Sequence, residues 1–245
     1  MRFALVNGTR ADPQPGLKGL CQGCQGATVA KCGKFVGWHW AHKAGAHCDK
    51  WWEAETEWHR AWKNRFPPDW QEVPLLDQGT GELHIADVRT PSGLVLEFQR
   101  SVIKPEEVRA RESFYRRMLW VVDGCKGDAD RFNFSNGRER PNTDGLSRFR
   151  WPGRGSLFAR WQTTTPVFID FGDHGFWRIM QFDPTTKNGI AGIVDRQKFA
   201  ELAASGITAR PSALPVRPSR GGRRFPAAGL RSEPRRGCRV GRRTA

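Results

Sequence analysis

No apolar run in this 245-residue chain approaches the roughly 18–20 residues that a helix needs to cross a bilayer, so a helical membrane anchor is not expected. The stretch from Met1 to Asn7 is too short for the apolar core of a secretory signal, and the expected location is the cytoplasm. Acids are scarce: 25 Asp and Glu face 40 Lys and Arg, a net charge of +15. The shortage is uneven, because residues 209–245 hold eleven Arg and a single acid, Glu233, which places ten of the fifteen net charges there. Pro and Gly interleave through that segment and apolar periodicity is nearly absent, which excludes a packed core and predicts a disordered tail. The tail is either a solvated end or a nonspecific phosphate-binding arm, and the charge argument for a nucleic-acid partner belongs mainly to it. Six cysteines without an export signal favour metal ligation over disulfides. Eleven Trp against one Tyr has no physical account in the sequence. There is no internal repeat.

Against these absences stands one dense stretch, His84-Ile-Ala-Asp-Val-Arg-Thr-Pro-Ser-Gly-Leu-Val-Leu-Glu-Phe-Gln99. Pro91-Ser92-Gly93 has the chemistry of a three-residue hairpin loop, with Pro presetting the first turn dihedral and Gly supplying a left-handed position. Centring the hairpin on Ser92 places Asp87 opposite Glu97 and Ile85 opposite Gln99. Ala86, Val88, Leu94, Leu96 and Phe98 then form the apolar face. Two acids across a ladder repel, so a sheet gains nothing from that pair unless a divalent cation sits between them. The bland alternative is an ordinary solvent-facing side of the sheet.

The surrounding pattern predicts an α/β unit with a mixed sheet. Asp49 is the expected N-cap of a helix over about Trp51–Phe66, stopped by Pro67-Pro68, with Trp51, Trp58, Trp62 and Phe66 as its apolar stripe and Glu55 and His59 at the border. Strands follow at about 71–76, 83–90 and 94–100, then a helix over about 105–118 that places Arg111 and Tyr115 on one face, then a strand at 119–122. Residues 126–150 read as a polar excursion, 166–171 and 176–182 as strands, and Asp195 as the cap of a last helix over about 196–204.

The N-terminal 50 residues are expected to form a small β-rich module. Thr28–His42 reads as a hairpin turning at Lys31–Lys34 and returning through Phe35–Ala41. Cys21-x-x-Cys24 supplies two ligands of a tetrahedral zinc from one turn, and the others come from His39, His42, His47 and Cys48. Residues three apart on a strand point to opposite faces, so His39 and His42 do not share one ion; His42 with Cys48 is preferred and His39 is the substitute. With four protein ligands the zinc is structural.

Taken in order, Cys21-x-x-Cys24, His39-Trp-Ala-His42, Cys48, Glu55-x-x-x-His59, Ile85-Ala-Asp-Val88, Glu97-Phe-Gln-Arg-Ser101, Arg111-x-x-x-Tyr115 and Leu119-Trp-Val-Val-Asp-Gly124 resemble the competence protein CoiA family of bacteria. The likeness covers about residues 1–124. It implies a PD-(D/E)XK, restriction-endonuclease-like mixed sheet flanked by helices over 51–125. An N-terminal zinc-binding segment precedes that core, a β-rich extension over 126–204 follows, and the tail occupies 205–245. It also implies a role in natural transformation and DNA processing. By that resemblance Asp87 and Glu97 ligate Mg²⁺ and Glu55 is the helix acid. Gln99 stands where most nucleases of that fold carry Lys, and an amide can only orient what an ammonium would also charge. Gln99 would position the water or a phosphate oxygen, while Arg111, Tyr115 and His59 orient the strand backbone; the bland alternative makes His59 a hydrogen-bonded boundary residue and Arg111 a partner of Glu106, Glu107 or Glu112. The expected partners are DNA and proteins of recombination or transformation, with no membrane. Two other readings stand beside this one: a DNA-binding accessory protein without turnover, and an HNH-type nuclease with His39 or His42 at its catalytic metal.

Overall fold

A computed structural model describes residues 1–43, 48–152 and 157–206; His47 and the tail from residue 207 lie outside the described residues. The chain opens with short strands β1 (Ala4–Val6), β2 (Thr9–Ala11), β3 (Lys18–Leu20), β4 (Ala27–Lys31) and β5 (His39–His42). They pair antiparallel in the order β2-β1-β3-β4-β5. Asn7 and Gly8, both at positive φ, close the first hairpin with the turn that matches strand twist. The 28–42 hairpin forms, but its returning strand begins only at His39. Phe35–Trp38, expected within the strand, lie in an exposed loop beside Gly33 and Gly37.

Helix α1 (Glu57–Lys63) is shorter than expected and starts later. Thr56 caps it, with His59 completing a capping box, so Asp49 is not its cap. Asp49 instead accepts from the backbone N–H of Trp51 (2.9 Å) and Ile85 (2.8 Å) and pairs with His84 (2.7 Å), tying the module to the core. Because Trp51 precedes the helix, it leaves the expected stripe and stacks on His84 with ring centroids 3.2 Å apart.

The core continues with β6 (Gln71–Leu76), β7 (Leu83–Arg89), β8 (Val95–Gln99), α2 (Pro105–Tyr115), β9 (Met118–Asp123), α3 (Asp128–Gly137), β10 (Leu146–Arg150), β11 (Val167–Asp170), β12 (Phe176–Asp183), β13 (Asn188–Val194) and α4 (Arg196–Ala204). One eight-stranded sheet has the order β10-β13-β12-β11-β9-β8-β7-β6. β6, β7 and β8 form an antiparallel meander, α2 crosses over, and β9 joins β8 in parallel; β11 then joins β9 in parallel. Residues 126–204 therefore extend the same sheet. The excursion expected at 126–150 contains α3, and β13 was not anticipated. Its Gly189 and Gly192 interrupt the alternation a strand should show.

β9 is buried along its whole length. Met118, Trp120 and Val122 face the layer with α2 and α3, while Leu119 and Val121 face α1 and α4 through Trp62, Phe66, Phe199 and Ala203. The β7–β8 hairpin has the expected register, Val88 opposite Leu96 and Arg89 opposite Val95, with Gly93 at φ +80°. Val88, Leu94, Leu96 and Phe98 share one core; Ala86 packs in the other, a correction to the single apolar face. The ladder stops short of Asp87 and Glu97.

Candidate functional site

The gap in the ladder is filled by the two acids themselves. The Phe98 N–H donates to Asp87 Oδ2 (2.9 Å) and the Asp87 N–H donates to Glu97 Oε1 (3.3 Å), so carboxylates replace strand carbonyls. Glu97 is buried, and its Oε2 accepts from Arg111 Nη1 at 2.8 Å. Burial and the neighbouring charge of Asp87 push the Glu97 carboxyl up to about 8 against the pull of Arg111. Arg111 also pairs with Glu107 (2.5 Å) and donates to the Trp51 carbonyl (2.9 Å), so it braces Glu97 from α2. Tyr115, one turn on, is buried beside Trp51 and Phe114, and burial raises its phenol well above the usual range.

Around this pair lies a pocket of about 80 Å³ whose walls include Glu53, Glu55, His59, Lys63, Glu72, Asp87, Glu97, Arg111 and Tyr115. Lys63, which the sequence reading missed, is its organising cation. Its Nζ lies 2.5 Å from Glu55 Oε1, 3.0 Å from Glu72 Oε1 and 3.8 Å from Asp87 Oδ1. Burial alone would lower this ammonium, but Glu72, Asp87 and Glu55 more than restore it and keep it charged. Burial likewise works against the ionised form of Glu55 and Glu72, yet Lys63 holds both below the ordinary carboxylate range. Glu72 sits at φ +49°, a left-handed conformation that aims it away from the ladder. There it also accepts the N–H of Arg2 (2.8 Å) and of Phe3 (3.1 Å). Glu55, Asp87 and Glu97 thus do not converge on one point; Lys63 stands between Glu55 and Asp87.

Gln99 is turned to a further unanticipated acid. Its Nε2 donates to Glu53 Oε2 (2.8 Å) and to the Ser101 Oγ (3.0 Å), while the Ser101 N–H donates to Glu53 Oε1 (2.7 Å). His59 accepts from the Thr56 N–H at Nδ1 (3.2 Å) in the capping box, and its buried Nε2 faces Glu53 at 3.9 Å without a hydrogen bond. His59 and Lys63 are four apart on α1 and share a face, a signal that could have found Lys63, while Glu55 joins them from just before the Thr56 cap. Nothing in the spacing announces Glu53 or Glu72.

A second cluster gathers in the N-terminal module. Ligand atoms of Cys21, Cys24, His42 and Cys48 all lie within 4.8 Å of one another, and this set could hold a metal such as zinc. Cys21 and Cys48 Sγ are 3.6 Å apart, and Cys24 Sγ is 3.3 Å from His42 Nε2. Ligands about 2.3 Å from a tetrahedral centre stand about 3.8 Å apart, close to these spacings and far from a disulfide. The Gly26 N–H points at Cys24 Sγ (3.3 Å), and burial with the neighbouring thiols pushes Cys48 up to about 12, a penalty a bound cation would reverse. His39 turns away, its Nδ1 2.9 Å from the Gly37 carbonyl.

No protein-family model, no curated protein and no solved structure matches this chain. Among the described residues no helix is long and apolar enough to cross a membrane.

Proposed function

We propose that this chain is a metal-dependent DNA nuclease acting in DNA processing, related to the competence family it resembles. The observation that carries the reading is the opposition of Asp87 and Glu97 at the floor of an acidic pocket, on adjacent strands of a helix–meander–helix–strand unit. That order, α1-β6-β7-β8-α2-β9 with β8 and β9 parallel, is the one expected for a PD-(D/E)XK core. Carboxylate oxygens suit a hard ion, and Asp87 with Glu97 would hold Mg²⁺. When bound, that ion supplies a Lewis acid and an activated water for phosphodiester hydrolysis. Glu55 holds Lys63 instead of joining the ligand set, and Lys63 provides beside Asp87 the positive charge that Gln99 lacks at its own position. Gln99 and Glu53 orient one another, and Arg111 keeps Glu97 in place until it ligates. Zinc is the ion we assign to Cys21, Cys24, His42 and Cys48. Four protein ligands leave no open position there, which argues against an HNH-type reading.

The test is cleavage of linear and circular DNA with Mg²⁺ or Mn²⁺ by the parent chain, Asp87→Asn, Glu97→Gln and Lys63→Met. Loss of at least a hundredfold in the first two supports the reading; parental rates in either refute it. A second reading, a DNA-binding protein without turnover, is favoured by one observation: both Glu97 oxygens and the Gln99 amide are already engaged within the protein. It predicts no cleavage by any of the four proteins and DNA affinity that falls steeply with salt.

A further inference from the structure

The loop between β4 and β5 presents an apolar tip that nothing among the described residues covers. Phe35 is 101% exposed, Val36 61% and Trp38 45%. Single exposed apolar residues are ordinary on a protein surface, but three within four positions form a patch. Lys31 and Lys34 flank it, both exposed and without an ion-pair partner among the described residues. From residue 13 to residue 48 the sequence has no Asp or Glu and four Lys. Within residues 13–48 the only charged side chains are therefore cationic, beside a protruding aromatic tip; the exposed Asp12 lies just outside that stretch. The loop is also tied to the acidic pocket, since Arg60 pairs with Glu55 at 2.8 Å through Nε and donates to the Trp38 carbonyl through Nη2.

We infer that the 31–38 loop is a nucleic-acid contact in which Phe35 and Trp38 stack on unpaired bases while Lys31 and Lys34 meet the phosphates. Aromatic faces with interleaved cations are what single-stranded nucleic acid requires, because every base offers a π-face and every linkage a negative charge. Trp38 is exposed, with its backbone carbonyl held by Arg60, and Phe35 is more exposed still. The choice of nucleic acid as occupant rests on the nuclease reading above, whose pocket is linked to the loop through Glu55: one carboxylate oxygen pairs with Lys63 in the pocket and the other with Arg60, which holds the Trp38 carbonyl. The substrate it selects is a strand with exposed bases, not an intact duplex.

The experiment measures binding of the full chain to a single-stranded and a duplex oligonucleotide of the same sequence by fluorescence anisotropy, without added magnesium. The parent is compared with Phe35→Ala/Trp38→Ala and Phe35→Leu/Trp38→Leu. The expected result is a loss of at least tenfold in single-strand affinity for both double variants, with duplex binding changed less than threefold. Photo-crosslinking to a halogenated single strand should place adducts on Phe35 or Trp38. Parental affinity in the Ala pair, or adducts confined to residues 207–245, overturns the proposal. Leu variants that bind like the parent overturn stacking as its basis. Sedimentation with phosphatidylserine vesicles is the third arm: vesicle binding lost in the Ala pair while DNA binding persists would assign the tip to a membrane surface. Since no step involves cleavage, a chain that binds strands through this loop but never cuts DNA would separate this proposal from the nuclease reading.

Discussion

Replacing Lys63 with Met removes one cation from contact with three acids. In the folded chain Lys63 lies 2.5 Å from Glu55, 3.0 Å from Glu72 and 3.8 Å from Asp87, and both Lys63 and Glu72 are buried. Met fills nearly the same volume, so the loss is electrostatic and not a cavity. Breaking a buried pair by deleting one partner costs about 3–5 kcal/mol, because the remaining charge keeps its desolvation penalty. For a chain of this size each kcal/mol moves the melting temperature by about 2–4 °C, so Lys63→Met should melt roughly 6–20 °C below the parent at pH 7. The deficit should depend on pH in a definite direction. Lys63 holds Glu72 and Glu55 below their unfolded values, so their stabilisation is present above about pH 4.5 and is lost as pH falls through the folded values. In Lys63→Met the same carboxyls rise above 4.5 and take up protons as pH falls, which relieves the deficit. Melting curves of both proteins from pH 4 to 8, followed by circular dichroism, measure the gap. A gap of less than 1 kcal/mol at pH 7, or one that does not narrow toward pH 4, would refute the assignment of Lys63 as the cation that neutralises this pocket.

Other outcomes follow from the same geometry. Chelation, or Cys21→Ser, should release one equivalent of zinc per chain and destabilise the five-stranded N-terminal sheet, read by metal analysis and by limited proteolysis; a parent chain purified without bound metal would end that assignment. Glu97, pushed up to about 8, binds a proton more tightly folded than unfolded, so it stabilises the fold below about pH 4.5 and that contribution is lost as pH rises through about 8. Glu97→Gln should therefore gain stability relative to the parent across that window in magnesium-free buffer, and a pH-independent difference in denaturant midpoints would contradict it. Gly189→Ala should cost about 1–3 kcal/mol, since its Cβ would fall 2.4 Å from the Phe149 ring and 2.7 Å from the Gln181 carbonyl. Chemical denaturation checks that value.

Local rules carried the sequence reading a long way. The Pro91-Ser92-Gly93 turn fixed the register that brings Asp87 beside Glu97, and Asp195 does cap α4 through the N–H groups of Gln197 and Lys198. The argument that His39 and His42 cannot share an ion placed only His42 in the metal cluster. What failed was much of what contacts distant in sequence decide. Glu72 enters the site because the backbone of Arg2 and Phe3, just before β1, docks on it and its own backbone adopts a left-handed conformation, and no residue near position 72 announces either. Trp51 fitted a helical stripe by spacing, but the His84 ring and the Thr56 capping box decided otherwise. α3 was lost in a polar segment because its buried anchor is one ring, Phe134, and the rings it packs against, Phe149, Phe158, Phe171 and Trp177, all come later in the chain. Gln99 was correctly singled out, while its partner Glu53, 46 residues earlier, was invisible.

Strand β9 has hydrogen-bonded neighbours on both flanks, β8 and β11, and every one of its six residues is shielded. The motifs singled out in the sequence end at Gly124, one residue past that strand. A fragment cut at this boundary would therefore strip the middle of the sheet to a raw edge of apolar side chains and unpaired amides, the template for self-association. The strands that follow, β11, β12, β13 and β10, in this sense close the flank that the first half of the chain would otherwise leave open.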